Sequence, residues 1–288
     1  MNNYKIYTDS ACDIKKEILT LWEVSSASLT LRFTDSDVEY KNDEMDIKDF
    51  YAKMTEGKIA KTAAINVETF TSLFEPALKE GFDVLYLGFS SGLSTTYNSG
   101  RLAAEALKAK YPERKIITVD SLCASAGQGL LLRLALNRKN EGKTIEEVRD
   151  YIESVKLNIC HWFTVSDLVY LKRGGRINPA VAFVGNMLGI KPVLHVDNEG
   201  HLVNVTKVRG RRAAILALAD KYTQLANGSG ENLVYISHAD CEADANELAK
   251  IIFEKHGVKT EIITDVGPVI GAHSGPGTLA LFFVGNER

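Results

Sequence analysis

Strand-like and helix-like segments alternate through the first half of the chain, and this alternation limits the fold more than any other feature. The segments are a strand at 5–8, a helix at 67–79, a strand at 83–88, a helix ending at 110 and a strand at 115–119. A T-x-x-E capping box at Thr144 and Glu147 begins a further helix. Strands separated by helices form a mostly parallel sheet covered on both faces. We therefore predict an α/β fold with a three-layer N-terminal domain.

The pattern changes after about residue 157. Asn178-Pro179 is typical of a helix start, and the segment that follows is strongly apolar. Beyond it we predict a hairpin (192–195 and 201–207), helices at 212–225 and 241–255, and strands at 232–237, 259–264 and 278–284. This indicates an N-terminal domain over 1–157 and a C-terminal α/β domain with a mixed sheet over 158–288. No low-complexity linker separates them, so we expect them to pack directly around a cleft.

Composition excludes several classes of protein. The 288 residues include 34 Lys and Arg against 37 Asp and Glu, a net charge of −3, which gives no broad basic surface for nucleic acid. The four cysteines are far apart and form no C-x-x-C pair, which argues against a disulfide framework and a zinc site. The sequence shows neither a signal-peptide pattern nor a membrane-spanning apolar run, so we expect a cytoplasmic protein without metal or cofactor.

Polar, hydroxyl-rich turns follow three predicted strands of the first domain, where an open parallel sheet binds its ligands. The turns are Asp9-Ser10, the segment from Ser90 to Thr96, and Asp120-Ser121. The second turn leads into a helix, whose unpaired N–H groups can bind an anion. From these turns we select one set of candidate polar residues, which comprises Asp9, Ser10, Ser91, Thr95, Thr96 and Ser121. The alternative is that these side chains only cap helices.

Gly88 to Gly92 fits G-x-S-x-G, the nucleophile elbow of α/β-hydrolases, with Ser90 at its centre. Asp265 and His273 follow in the chain order of a hydrolase triad. No H-G-G-G-like segment precedes the serine, and the upstream strands are few for a hydrolase sheet. A serine hydrolase nevertheless stays as the alternative function, and a small-molecule phosphotransferase is a third class.

Three further segments carry candidate chemistry. Residues 267–277 read as a stiff glycine–proline loop that holds His273, which could hydrogen-bond an anion or lie in a plain turn. Basic residues cluster around 172–176 and 207–212, without the spacing of a phosphate-binding loop. These clusters suit either a solvated turn or the docking surface of an acidic partner.

Taken together, the motifs resemble the DegV family in order along nearly the whole chain. The matching segments are Tyr7-Thr8-Asp9-Ser10 with Asp13, Lys61-Thr62, Ser90 to Ser94 with Thr96-Tyr97, Val119-Asp120-Ser121, Leu171 to Ile177, Ile190-Lys191-Pro192, Lys207 with Arg209-Gly210, and Gly271 with His273 to Gly277. No single segment is specific, but the ordered set is. The chain departs from the family pattern at Ala63, where a serine is common, and at Thr95, where a glycine is common.

The resemblance implies a non-catalytic carrier that holds a long-chain fatty acid in a tunnel between two α/β domains. It implies that Thr62 and Ser94 hold the carboxylate, with His273 nearby. It also implies a partner, a fatty acid kinase that makes an acyl phosphate for phospholipid synthesis, with Arg209 at the rim where the kinase works. Arg173 and Arg176 are the other candidates for partner contact. A bound fatty acid, rather than a cofactor, is the expected ligand, and neither nucleic acid nor stable membrane insertion is expected.

Overall fold

The computed structural model describes residues 3–177, 189–226 and 232–288. Its strands are β1 (Tyr4–Asp9), β2 (Ser25–Ala27), β3 (Thr30–Phe33), β4 (Glu39–Lys41), β5 (Ala60–Ala63), β6 (Asp83–Gly88), β7 (Ile116–Asp120), β8 (Ile159–Thr164), β9 (Ile190–Val196), β10 (Leu202–Arg209), β11 (Val234–His238), β12 (Thr260–Asp265) and β13 (Leu279–Val284). Its helices are α1 (Lys16–Leu21), α2 (Ile47–Thr55), α3 (Val67–Lys79), α4 (Thr96–Lys110), α5 (Ala126–Asn140), α6 (Ile145–Val155), α7 (Val169–Arg173), α8 (Arg211–Leu225), α9 (Glu242–His256) and α10 (Pro268–Ser274).

A four-stranded parallel sheet in the order β2-β1-β6-β7 forms the centre of the first half. Helices α3 and α4 pack on one face with Tyr86, and α5 and α6 pack on the other with Leu85 and Leu87. Alternate residues of β6 are therefore buried on opposite faces, as expected for a strand covered on both sides. This arrangement confirms the predicted α/β class and brings the carboxyl ends of β1, β6 and β7 to one edge.

A separate three-stranded antiparallel sheet, β4-β3-β5, lies in the same half. Its strand β5, which the sequence analysis did not predict, is short and has no buried residue. Thr62 lies in β5 opposite Leu31 of β3. Because a strand fixes the backbone on both sides of Thr62, its half-buried side chain has a defined direction.

The second half forms a six-stranded sheet in the order β10-β9-β8-β13-β11-β12, in which only β11 and β12 are parallel. Helix α5 of the first half packs against β8, β11 and β13 of this sheet. Its side chains are buried nearly all round, including Leu130, Leu131, Leu132 and Leu134. A helix that is apolar on every side needs cover on every side, and α5 obtains it by lying between the two large sheets. The change from one sheet to the other falls between β7 and β8.

Two predictions differ from the structure or fall outside it. Residues 267–277 were expected to be a loop, but Pro268–Ser274 form α10, because a proline is well tolerated in the first helical turn. The apolar helix predicted after Asn178 falls on 178–188, outside the described residues. Across the three described ranges, no helix has both the length and the apolar character to cross a membrane.

Candidate functional site

A cavity of about 540 Å³ lies between the two halves of the chain. Its volume falls in the usual range for small-molecule sites. Apolar side chains make up much of its wall, which includes Leu29, Phe89, Leu93, Phe163, Leu171, Val196, Leu202, Val266, Val269, Ile270, Ala280 and Phe282. A smaller set of polar side chains also lines it: Thr62, Ser91, Ser94, Thr95, Ser125, His161, Arg176, Ser237, His273, Ser274 and Thr278.

Thr62 and His273 are in direct contact in the wall of this cavity. The Thr62 hydroxyl lies 2.8 Å from His273 Nε2, and the tautomer decides which of the two donates. His273 Nδ1 is buried and has no hydrogen-bond partner among the described residues. Burial, and then the nearby positive charge of Arg176, lower the pKa of His273 to about 4. The imidazole is therefore neutral at pH 7 and can serve as a hydrogen-bond donor or acceptor.

Ser94 lies in the turn before α4. Its Oγ accepts the N–H of Thr96 at 3.2 Å and is 2.9 Å from the Thr96 hydroxyl. The Thr96 oxygen in turn accepts the N–H of Ile65 at 3.4 Å, which joins this turn to the segment that follows β5. Thr62 and Ser94 are thus brought to the same cavity, next to a helix start whose dipole favours an anion.

Arg176 is the charged side chain of this polar region. Its Nε donates to the carbonyl of Leu93 at 3.2 Å, and its Nη1 donates to the carbonyl of Gly174 at 2.5 Å. It is half-buried and lines the cavity, whereas the sequence had suggested a surface for a partner. Burial lowers its pKa, yet a guanidinium stays charged in proteins. A positive charge held by backbone carbonyls in an apolar wall is suited to a carboxylate.

The candidate polar residues selected at the strand ends divide into two groups. Ser91 and Thr95 are exposed and line the cavity. The other four are buried, do not line it, and hold the turns together: Asp9, Ser10, Thr96 and Ser121. Asp9 shows this best, because Oδ2 accepts from Tyr86 and from the N–H of Phe89, both at 2.8 Å. Of these four residues, Asp9 caps a short helical turn at Ser10–Cys12, as the capping alternative predicted, and the other three side chains hold turns without capping a helix.

In the basic cluster at 207–212, Arg209 differs from the two arginines that follow it because they form ion pairs. Arg211 pairs with Asp244 at 2.7 Å and Arg212 pairs with Glu247 at 3.0 Å. Arg209, at the end of β10, is exposed, and no described residue forms a hydrogen bond or ion pair with its side chain. Arg173 is also exposed, with its guanidinium 5.6 Å from the centre of the Tyr170 ring.

The nucleophile-elbow interpretation of Ser90 is wrong. Its hydroxyl is fully buried, donates to the carbonyl of Gly200 at 2.9 Å and accepts the N–H of Gly92 at 3.2 Å. The expected partners lie elsewhere, since His273 contacts Thr62 and Asp265 is 3.8 Å from His238. Ser90 is instead a contact between the turn after β6 and the β9–β10 hairpin.

Sequence reasoning did not select four residues of the cavity wall that carry hydroxyls: Ser125, Ser237, Ser274 and Thr278. Ser274 is buried, and its Oγ has no hydrogen-bond partner among the described residues. Its place directly after His273 was the sequence signal that could have indicated a position in the cavity wall. Ser125 and Ser237 come from opposite halves of the chain, so no local pattern could have joined them. Ala63 and Thr95, the two departures from the family pattern, also line the cavity.

Comparison with known proteins gives consistent results. The model of a family described as uncharacterised proteins, the DegV family, matches residues 3–286. A DegV domain-containing protein of Clostridium perfringens is 39% identical, with 100% of this chain and 99% of the relative covered. A solved structure from Thermotoga maritima, described as revealing a fatty acid binding function, is 31% identical with a TM-score of 0.84, and 99% and 100% of the two chains are covered.

A second solved structure, a stearic acid-binding protein of Eubacterium ventriosum, is 25% identical with a TM-score of 0.88, and 98% of each chain is covered. The matches cover almost the full length of both partners in every case, so they apply to both sheets and to the cavity between them. On this evidence the chain belongs to the DegV family.

Proposed function

We propose that this protein binds one long-chain fatty acid in the cavity and presents its carboxylate to a fatty acid kinase. The observation that carries the proposal is the convergence of Thr62, Ser94 and Arg176 on one apolar cavity. A buried carboxylate needs donors to replace its water, and this region offers hydroxyls, a helix start and a guanidinium. The fatty acid binding described for relatives supports the same ligand class.

The remaining wall favours an alkyl chain. Each buried methylene contributes about 0.8 kcal/mol, so a chain with roughly 14 of them gains on the order of 11 kcal/mol before the costs of ordering. A ligand held this strongly survives purification. Native mass spectrometry of the protein purified from bacteria should therefore show about one fatty acid per chain. A protein that stays ligand-free after incubation with a range of fatty acids would contradict the proposal.

Variants of the polar region test how the carboxylate is held. Ser94→Ala and Thr62→Val each remove a hydroxyl near a charged group, a change that costs about 1.5–3 kcal/mol, and should raise the Kd at least tenfold without unfolding the protein. Ser90→Ala is the matched control, because its hydroxyl bonds backbone groups of the hairpin contact. It should raise the Kd less than either of the other two variants, and the opposite ranking, with Ser90 dominant, would argue against the assignment.

Phosphoryl transfer is the second part of the proposal. The bound carboxylate attacks the γ-phosphorus of ATP held by the kinase, which yields an acyl phosphate and ADP. Negative charge spreads over the phosphoryl oxygens in the transition state, and a guanidinium can stabilise it. Arg209 suits this role because it is exposed and unpaired among the described residues. In this proposal the kinase binds the ATP, so the carrier needs no ATP site of its own. The two proteins would meet in the cytoplasm, where ATP is available.

Arg209→Ala tests this role with the cognate kinase and ATP. Fatty acid affinity should change little, whereas acyl phosphate formation should fall by at least about tenfold, equivalent to roughly 1.4 kcal/mol. Arg212→Ala is the control, because its side chain already pairs with Glu247. Unchanged turnover would refute the role, and a loss that excess kinase restores would make Arg209 a docking residue.

A further inference from the structure

A pair of serine hydroxyls from opposite halves of the chain forms a second polar region in the cavity wall. Ser125, just before α5, and Ser237 of β11 both line the cavity, and their Oγ atoms are 2.9 Å apart. Both side chains are buried. Three of the lining residues from β8 and β13 are apolar: Phe163, Ala280 and Phe282. Polar groups in such a wall need partners.

Asp13 sets the direction of the hydrogen bonds in this pair. The Ser125 hydroxyl donates to Asp13 Oδ2 at 2.5 Å, while Oδ1 accepts the N–H of Gly267 at 3.0 Å. A hydroxyl has one proton and two lone pairs, so while the carboxyl of Asp13 is ionised Ser125 can only accept from Ser237. The proton of Ser237 is then donated to Ser125, and no described residue donates a hydrogen bond to the Ser237 oxygen, which can still accept one.

Neighbouring groups leave this acceptor available. His161 also lines the cavity, but its Nδ1 is 2.8 Å from the carbonyl of Ile159 and its Nε2 accepts the N–H of Ala124 at 3.3 Å. The carboxyl of Asp13, one hydroxyl away from the cavity, disfavours a ligand anion here. The region therefore suits a neutral hydrogen-bond donor on a ligand whose carboxylate lies near Arg176.

We propose that Ser237, oriented by Ser125 and Asp13, is a subsite for a hydroxyl group on the acyl chain. The substrate class would then include hydroxylated long-chain fatty acids. This inference rests on the proposed fatty acid binding and adds a preference for the position of the hydroxyl. A pair of serines that only joined the two halves would be indifferent to that position.

The experiment measures the Kd of stearic acid and of a positional series of hydroxystearic acids at about pH 8.5, where the carboxyl of Asp13 is ionised. All isomers of this series have the same free-energy cost of moving one hydroxyl out of water. Differences in Kd among them therefore show at which position the hydroxyl finds a hydrogen-bond partner in the cavity. We expect one position, or two adjacent ones, to bind at least about fivefold more tightly than the rest, as one hydrogen bond allows. Ser237→Ala should abolish this positional preference.

Two further variants complete the test. Ser125→Gly removes the orienting hydroxyl at a position whose φ of 54° favours glycine, so it should fold and should also weaken the preference. Ser121→Ala, at a buried serine that does not line the cavity, is the control and should leave the preference unchanged. Tight binding of stearic acid without positional preference, or a preference that survives Ser237→Ala, would overturn the subsite alone. No binding of any fatty acid would overturn the proposed function as well.

Discussion

The orientation of His273 depends on the absence of a side chain at Gly174. A methyl group added at Gly174 would lie 2.1 Å from His273 Nδ1, much closer than any real contact. The φ of this glycine is −72°, so its backbone would accept another residue. The requirement for glycine is therefore steric, and it fixes the imidazole against Thr62 from the opposite side.

Gly174→Ala should displace the imidazole and break its 2.8 Å contact with Thr62. We expect the Kd for fatty acid to rise about tenfold, which corresponds to roughly 1.4 kcal/mol, and isothermal titration calorimetry would measure it. The control is the double variant with Thr62→Val. Because both changes act on one contact, the loss of binding free energy in the double variant should be smaller than the sum of the two single losses. Full additivity would contradict this mechanism.

At the scale of elements, the turn after β1 is attached to the connection between β12 and α10. The carbonyl of Asp13 accepts the hydroxyl of Thr264 at 2.9 Å, and its carboxylate accepts the N–H of Gly267 at 3.0 Å. Burial is the main cause that raises the pKa of Asp13 to about 7. The φ of Asp13 is 50°, in the left-handed region that asparagine also tolerates.

Asp13→Asn should change how stability depends on pH. The raised pKa means that the folded state keeps a proton that the unfolded state releases above about pH 4. The stabilisation from this proton is complete below pH 4 and is lost as the pH rises to about 7. The free energy of unfolding of Asp13→Asn minus that of the wild type should therefore increase over this range, by about 1–3 kcal/mol.

Chemical denaturation across the same pH range gives this difference directly. Comparison with the wild type cancels the opposite slope expected from His273, whose pKa is lowered. A difference that stays constant with pH would show that the pKa of Asp13 is not raised in the folded protein.

Elements with strong local signals could be predicted from the sequence. The ranges 67–79 and 83–88 match α3 and β6, and the capping box at Thr144 and Glu147 is formed. β5 was missed because its four residues carry no apolar alternation, although it holds Thr62. α10 was missed because glycines and prolines favour loops, while the packing of Val269 and Ala272 in the core stabilises a helix.

The site was predictable only to the extent that it follows from family resemblance. Thr62, Ser94 and His273 come from three distant segments, and no periodicity joins them. Arg176 was expected to face a partner, because a basic residue after a glycine turn gives no local sign of burial. The proximity of Ser125 and Ser237 depends on how the two halves pack, which tertiary contacts decide.

At the scale of the molecule, the tip of the β9–β10 hairpin docks on the turn that also carries Ser94. Ser90 donates to the carbonyl of Gly200, and a methyl group at Gly200 would lie 2.1 Å from the Ser90 oxygen. Gly200 also has a φ of 80°, which favours glycine. The close contact at Gly200 thus fixes the position of the β9–β10 hairpin against the first half of the chain, beside the cavity.

Gly200→Ala should weaken this contact and speed the release of fatty acid. Gly142→Ala is the matched control, because Gly142 has a φ of 87° and no atom within 4 Å of an added methyl group. Each variant should lose about 1 kcal/mol of stability from backbone strain. Stopped-flow displacement should show faster dissociation, by at least about threefold, for Gly200→Ala alone; equal rates in both variants would contradict a role for the hairpin contact.

The cavity wall comes from both halves, and this makes the proposed ligand a part of the folded structure. A molecule that binds only the folded state stabilises it by about 2.7 kcal/mol at a free concentration of 100 times its Kd. The fraction of copies that open transiently would then fall as the supply of free fatty acid rises. Cellular proteases act on such open copies, so the abundance of the carrier would follow the supply of its cargo without any change in gene expression.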